Sequence, residues 1–452
     1  MRTDFGRKRE DEMQLKTKTK RFSALLLTVG MLFAAGCGGA PGEGTLSRPP
    51  KASSGVERAE ETPSHCELTP VNRLYDNFSD SYQAFSFSML RALYQAAQTG
   101  AVDAPDGVVL SPASLYIALG MTAEGMEGDT LGQTMALLHA GDADALREGC
   151  RDLLSLLSSN PKNSFRWAAA LWIKDSFQDH ILPGFLQRNR DFYDAQIKFH
   201  AFDDTLIPSV NSWVEEQTDG LIEELLQPPL DDDLFLLLLN TLLFDARWES
   251  PFDGRESAEG TFHGVSGDVT LPFMRQTYRG MGYQDADVTA ALLDYDDGRT
   301  AMLVAVPREG TGGLDALMAS MDKDTVPGWL KGMTEQQVGM VLPRFSMEYR
   351  AELKEVLSGM GMTDAFDPDK ADFSGLTERE PVIIGQVIHQ TALEVGEKGT
   401  RAAAATAVEI LCGSAMNVLS VGADRPFFCA VVDKPTGALL FAAAVTDPKP
   451  LA

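Results

Sequence analysis

Nucleophiles and bases are scattered through this chain of 452 residues. With six histidines in all, a hydrolytic reading has one pair to work with, Ser111 as nucleophile and His389 as base. Ser111 directly precedes Pro112, and His389 falls in a strand-like apolar run; both are settings typical of hydrogen-bonded core groups. No GxSxG elbow, GxxxxGK[ST] phosphate loop, GxGxxG or HExxH spacing occurs. The five cysteines, Cys37, Cys66, Cys150, Cys412 and Cys429, form no CxxC pair and no Cys/His spacing of the kind zinc needs. Neither an enzyme, a metal site nor a bound cofactor is expected. Acidic side chains number 65 against 39 basic, a net charge of -26. A field of that sign repels nucleic acid and heparin-like polysaccharide, which excludes both as partners.

The N-terminus carries an address. Lys16, Lys18, Lys20 and Arg21 precede an apolar run from Phe22 to Ala35, too short to span a bilayer and fitting a signal peptide over residues 1–36. The run closes on Ala34-Ala35-Gly36-Cys37, which resembles the lipobox of bacterial lipoproteins, with Ala34 where leucine is usual. Cys37 is thus expected to carry a lipid anchor; cleavage by the ordinary signal peptidase would use the same small residues. Either route places the mature protein outside the cytoplasm, extracellular or in the cell envelope. Because Met13 stands just before the basic stretch, the first twelve residues read as an upstream extension from a misassigned start.

Residues 37–70 are rich in Gly, Pro, Ser and Glu and cannot bury enough surface to offset their ordering entropy, so they read as a flexible linker. From about Asn72 no linker interrupts the chain, and residues 71–452 read as one large domain. Apolar spacing of three and four predicts helices over Tyr82–Ala97, Pro112–Gly120 and Ala143–Leu157, with a strand at Ala168–Lys174. The almost continuous apolar run Leu234–Phe244 predicts a strand covered on both faces in mid-sheet. Phe427–Val432 and Ala438–Val445 flank Asp433-Lys434-Pro435-Thr436-Gly437, a hairpin turn. Helices first and strands later give an α+β domain.

Several separated motifs across Asn72–Pro448 resemble those of the serpin family. They are Leu110-Ser-Pro-Ala-Ser-Leu115 followed by Gly125 and Thr130, Asn211-Ser-Trp-Val214 with Thr218 and Gly220, and Asn240-Thr-Leu-Leu-Phe-Asp-Ala-Arg-Trp248 followed by Pro251-Phe252. Leu342-Pro-Arg-Phe345, Ala371-Asp-Phe-Ser-Gly375 and Ala423-Asp-Arg-Pro-Phe427 complete the series. Asp245-Ala246 replaces the family's usual Lys-Gly, a departure expected to alter only local loop geometry. The resemblance implies helices packed around a large central β-sheet, two further sheets, an exposed reactive-centre loop, and a monomer. It also implies a hydrogen-bonded shutter of Ser111, Ser114, Asn240 and His389 beneath the place where the central sheet opens. Polar groups suit a seam that parts and reseals, since they can exchange partners. By the same resemblance Glu397 pairs with Arg344 beside Trp248 in a breach at the top of the sheet, where removing either charge is expected to cost on the order of 3 kcal/mol or less.

The segment from Glu397 to Met416 carries the activity that the resemblance implies. Its four consecutive alanines favour a helix by propensity alone. Read with period two, Thr400, Ala402, Ala404, Thr406, Val408 and Ile410 form one face of small or apolar residues. Arg401, Ala403, Ala405, Ala407, Glu409 and Leu411 form the other, with both charges. Such a ribbon suits insertion into an existing sheet. In the family, Glu397, Gly399, Thr400, Ala402, Ala403, Ala404, Ala405 and Thr406 correspond to the hinge, and insertion follows attack by a serine protease, or a cysteine protease, on the loop. Thr400→Arg is expected to turn inhibitor into substrate. Counting the usual hinge length places the cleaved bond at Gly413–Ser414, while counting back from Pro426 shifts it to Ala415. Small residues there favour elastase-like or subtilisin-like proteases over trypsin-like ones. An inserted strand from Gly399 to that bond extends roughly 50 Å at about 3.3 Å per residue, close to the domain's expected diameter of about 55 Å. A carrier or surface-binding role without inhibition is the rival reading, against which the hinge composition stands. Cys412 beside the bond is either a specificity contact, an oxidation-sensitive thiol or incidental; Cys429 reads as core, and pairing of Cys66 with Cys150 stays open.

Overall fold

In a computed structural model the described residues are 27–37, 76–160, 162, 164–220, 222–230, 233–379, 382–400 and 418–451. The helices are α1 (Asp76–Gln98), α2 (Pro112–Ala123), α3 (Gly128–Leu137), α4 (Ala143–Ser158), α5 (Pro183–Tyr193), α6 (Leu206–Gln217), α7 (Gly313–Ser320), α8 (Thr325–Gly332) and α9 (Lys354–Gly359). The three helices expected from periodicity are present, each extended by a turn or less except α1, which begins six residues earlier. Helix α2 is buried on every side, so its apolar character all round follows from its central place. Ser111 caps it, accepting from the Ser114 amide at 3.2 Å.

The strands, in chain order, are β1 (Leu27–Cys37), β2 (Gly107–Leu110), β3 (Phe165–Lys174), β4 (Ala195–His200), β5 (Leu234–Phe244), β6 (Ala246–Arg247), β7 (Ala258–His263), β8 (Asp268–Gln284) and β9 (Val288–Asp294). There follow β10 (Thr300–Pro307), β11 (Thr334–Pro343), β12 (Phe345–Glu352), β13 (Val382–Val395), β14 (Gly399–Thr400), β15 (Leu419–Gly422), β16 (Phe427–Asp433), β17 (Leu439–Val445) and β18 (Lys449–Pro450). The central sheet runs β18-β12-β13-β1-β5-β3-β4. A second path runs β15-β11-β8-β9-β10-β16-β17-β2, with β7 on β8. The two further sheets expected are therefore continuous: β8 is long enough to leave β11 and pair its end, Gly282–Gln284, with β9.

Strand β5 coincides with the predicted run and is buried along its length. Leu236, Leu238, Leu242 and Phe244 belong to the main core, while Leu234, Leu237 and Leu239 join a smaller one. That smaller core holds Val210, Trp213 and Val214 of α6 together with Trp172 of β3 and Ile388 of β13. Helix α6 thus lies across the middle of the central sheet. The Asn211 motif fixes it there, Oδ1 accepting from the amides of Leu225 and Leu226 at 3.1 and 2.8 Å and Thr218 Oγ1 from that of Ile222 at 3.1 Å. Two other distant motifs meet at Gly125 and Gly375. A Cβ on Gly375 would lie 3.2 Å from the Gly125 backbone, and Thr130 Oγ1 accepts from the Asp372 amide at 3.0 Å.

Candidate functional site

The sequence-predicted site residues gather along one line of the central sheet, between β5 and β13. Those strands do not touch each other among the described residues, because β1 lies between them, antiparallel to both. Its pairing runs from Thr28↔Ala392 to Cys37↔Val382 on one side and from Leu27↔Phe244 to Gly36↔Leu234 on the other. Residues 27–35 of the apolar run assigned to the leader, with Gly36 and Cys37, therefore form a full strand of the sheet.

Ser111, Ser114 and Asn240 are brought together. The Ser114 hydroxyl donates to Asn240 Oδ1 at 2.7 Å, Asn240 Nδ2 returns a bond to the Ser114 carbonyl at 2.9 Å, and the Ser111 hydroxyl reaches the Leu440 carbonyl at 3.0 Å. His389 stands apart from this cluster. It is fully buried, and among the described residues neither ring nitrogen has a hydrogen-bond partner. The reason is β1: Met31 is the register partner of both Asn240 and His389, so two strand spacings, roughly 10 Å, separate their backbones. Burial pushes the imidazole pKa down to about 3, leaving a neutral ring at physiological pH.

At the top of the seam Arg344 Nη1 lies 3.8 Å from Glu397 Oε1, with the side chains 33% and 20% exposed. Solvent of that extent limits the pair to about 1 kcal/mol or less. Trp248 is tied more firmly: its indole N–H donates to the Gly396 carbonyl at 2.9 Å, and its ring stacks on Tyr295 at 4.6 Å. Between Gly396 and Gly399 the chain makes a tight hairpin, and β14 then pairs with β6, Gly399↔Arg247 and Thr400↔Ala246. Only glycine fits at 399, where φ is +139° and a Cβ would lie 2.3 Å from the Ala246 carbonyl oxygen. The Asp245-Ala246 departure thus sits beside the root of the loop, Ala246 pairing with Thr400. Thr400 is fully buried, its hydroxyl 2.8 Å from that of Tyr295. Spacing gave no sign of Tyr295 or of Ser257, whose hydroxyl donates to Glu397 Oε1 at 3.1 Å.

Hinge residues Ala402, Ala403, Ala404, Ala405 and Thr406, together with Cys412 and the Gly413–Ser414 bond, lie outside the described residues, as does Cys66. The far end of the loop is anchored by β15, parallel to β11, and by Phe427, packed edge-on against Phe262 and Phe345. Among the described residues Cys150 and Cys429 are buried and form no disulfide, and burial pushes their thiols up. Among the described residues no group of His, Cys, Asp and Glu could hold a metal ion, and no helix is long and apolar enough to cross a membrane.

Fold and site together define an α+β protein whose central sheet carries a buried polar cluster, with Thr400 and Leu419 pinned to the strands β6 and β11. The family description "Serpin (serine protease inhibitor)" matches residues 80–448, and the chain belongs to the serpin family. An uncharacterized serpin-like protein of Thermococcus kodakarensis is 30% identical over 446 residues, covering 95% of this chain and 99% of that one. The native-state structure of the thermophilic serpin tengpin superposes with a TM-score of 0.73 at 27% identity, covering 83% of this chain and 95% of that one. Human thyroxine-binding globulin matches at 0.72 and 26%, covering 82% and 98%.

Proposed function

We propose that this serpin is not an enzyme but an exported, irreversible inhibitor of serine proteases, and of cysteine proteases where they accept the loop, acting through cleavage and insertion of residues 400–413. Register supports the reading. Extending the Gly396↔Gly399 pairing along β13 sets Thr400, Ala402, Ala404, Thr406 and Val408 opposite Val395, Leu393, Thr391, His389 and Val387, all buried. Arg401, Ala405 and Glu409 fall opposite Glu394, Gln390 and Gln386, which are half-buried or exposed. Ala403 and Ala407 fall opposite Ala392 and Ile388, where small side chains are again needed. The small face of the bait thus matches the buried face of its future neighbour, and Arg401 meets an acid across the strand. Driving force comes from the strand pairing and burial that the uncleaved loop forgoes, so the uncleaved protein is held kinetically.

The target is an elastase-like or subtilisin-like protease, and the protein acts as a monomer. Residues 1–36 are its signal peptide, 37–70 a linker lipid-anchored at Cys37, and 71–452 the inhibitory domain. The processed protein, incubated with a panel of serine and cysteine proteases, is expected to give a covalent band of higher mass on a denaturing gel. Sequencing the released C-terminal peptide fixes the bond at Gly413–Ser414 or Ala415. Clean cleavage of the loop by every protease, with no such band, overturns inhibition and favours the carrier reading. Cys37→Ser is expected to move the protein from the membrane pellet to the soluble fraction; no change there refutes the anchor.

A further inference from the structure

The strand that fills the slot between β5 and β13 is the leader. From the pairing already given, Val29, Met31 and Phe33 of β1 stand opposite Thr391, His389 and Val387. The register extended from the Gly396–Gly399 hairpin sets Ala404, Thr406 and Val408 opposite the same three residues. Both segments run antiparallel to β13, so leader and bait claim one slot, in one direction and one register. Occupancy by the first excludes the second, since a strand in mid-sheet uses the hydrogen-bonding edges of both neighbours. Other parts of the structure agree with a slot already taken. The chain turns at Gly399 to pair with β6, and β1 separates the strands that carry His389 and Asn240, with Met31 in register with both.

We propose that residues 27–37 are an intramolecular plug, which holds the unprocessed chain unable to insert its bait. The plug's last residue, Cys37, is where the leader is expected to be cut. Hydrolysis of the Gly36–Cys37 peptide bond by a signal peptidase, with water as the second reactant, frees the carboxylate of Gly36 and the amine of Cys37. The strand is thereby severed from the domain and free to leave. A chain that folds with its leader attached is silent toward proteases, and the cut that matures it opens the sheet. The proposal rests on the bait-insertion reading above.

The test uses the whole chain made by cell-free synthesis without membranes, so that the leader stays attached, beside a full-length variant carrying Gly30→Pro and Phe33→Pro. Proline removes ladder hydrogen bonds and is not tolerated in a central strand. Each protein is nicked in the loop with a low-specificity protease and its thermal midpoint compared before and after. The wild-type midpoint is expected to stay put, while that of the variant rises by about 10 °C or more as the bait enters the vacated slot. A rise in both proteins overturns the plug and leaves bait insertion standing. No rise in either overturns bait insertion itself, and the competition with it. Should the variant fail to fold, hydrogen exchange on the wild-type chain decides: amides 28–36 are expected to exchange on the order of 100-fold slower than in an unstructured peptide, and exchange at the unstructured rate overturns the plug.

Discussion

Thr406→Arg in the processed protein tests the insertion mechanism at its most demanding point. On insertion, residue 406 takes the position opposite His389, which is fully buried, and replaces Met31 between it and Asn240. No acid is hydrogen-bonded at this level of the seam among the described residues, where the partners are Ser111, Ser114, Asn240 and the Leu440 carbonyl. An unpaired guanidinium there costs about 3–5 kcal/mol. At about 1.4 kcal/mol per decade, insertion past that point slows by roughly 100-fold to 4000-fold. The acyl-enzyme then hydrolyses before the protease is carried across the molecule, and the inhibitor is spent as substrate. Titrating a fixed amount of protease should show the stoichiometry of inhibition rising by about tenfold or more, with cleaved protein replacing the covalent band. Ala405→Arg is the matched control, because it falls opposite half-buried Gln390 and should change stoichiometry far less. Thr400→Arg is the poorer probe: Thr400 is already buried against Tyr295 before cleavage, so that variant damages the uncleaved protein as well. Covalent complex from Thr406→Arg at wild-type stoichiometry would sink the insertion argument.

Three further outcomes follow from the geometry. The unfolded chain protonates His389 near pH 6.5 and the folded chain only near pH 3, so its contribution to stability is intact above pH 6.5 and lost as pH falls through that window, by about 1.4 kcal/mol per unit; urea titrations at pH 7, 5 and 4 should show this slope removed in His389→Gln, and an identical pH profile for the variant refutes it. Gly399→Ala should cost about 3 kcal/mol from its left-handed φ and the approach of the Ala246 carbonyl; a loss under about 1 kcal/mol would mean that the loop root is not held against β6. Glu397→Gln should cost no more than about 1 kcal/mol given the exposure of its ion pair, less than Trp248→Phe, which deletes the bond to the Gly396 carbonyl; the reverse order in thermal midpoints would show that charge, not the indole, holds the top of the seam.

Local pattern made much of this fold legible and left its pairings hidden. Leu234–Phe244 was readable as a two-face-buried strand because nothing in the run is charged, and the 433–437 turn because Pro and Gly punctuate it. Helix α2 was readable from its apolar spacing of three and four over Pro112–Gly120. By contrast, the apolar pattern of Phe22–Ala35 is the same whether it enters a translocation channel or a sheet, so its place as β1 could not be read from periodicity. Ser111, Ser114 and Asn240 are hydrogen-bonded near one another; the distance of His389 from them depends on which strand stands between, a fact carried by no residue of the four. Tyr295 escaped notice because a buried tyrosine bonded to a threonine 105 positions away leaves no trace in spacing.

The two segments that claim the slot differ in the size of their side chains, and that difference decides how the slot can be opened. At matched register positions the leader has valine, methionine and phenylalanine where the bait has alanine, threonine and valine. At about 0.8 kcal/mol per methylene that a strand can bury, residue size alone gives the leader's three residues several kcal/mol more to gain than the bait's. Small side chains serve the bait in another way: they let a strand thread rapidly between neighbours already in place, which a race against deacylation demands. A heavy strand suits static occupancy and a light one suits speed, so the bait cannot evict the leader by competition. Release must instead come from cutting the leader's tether, after which it departs by dilution. The transition is then one-way: a chain once processed has no local copy of the plug with which to close again.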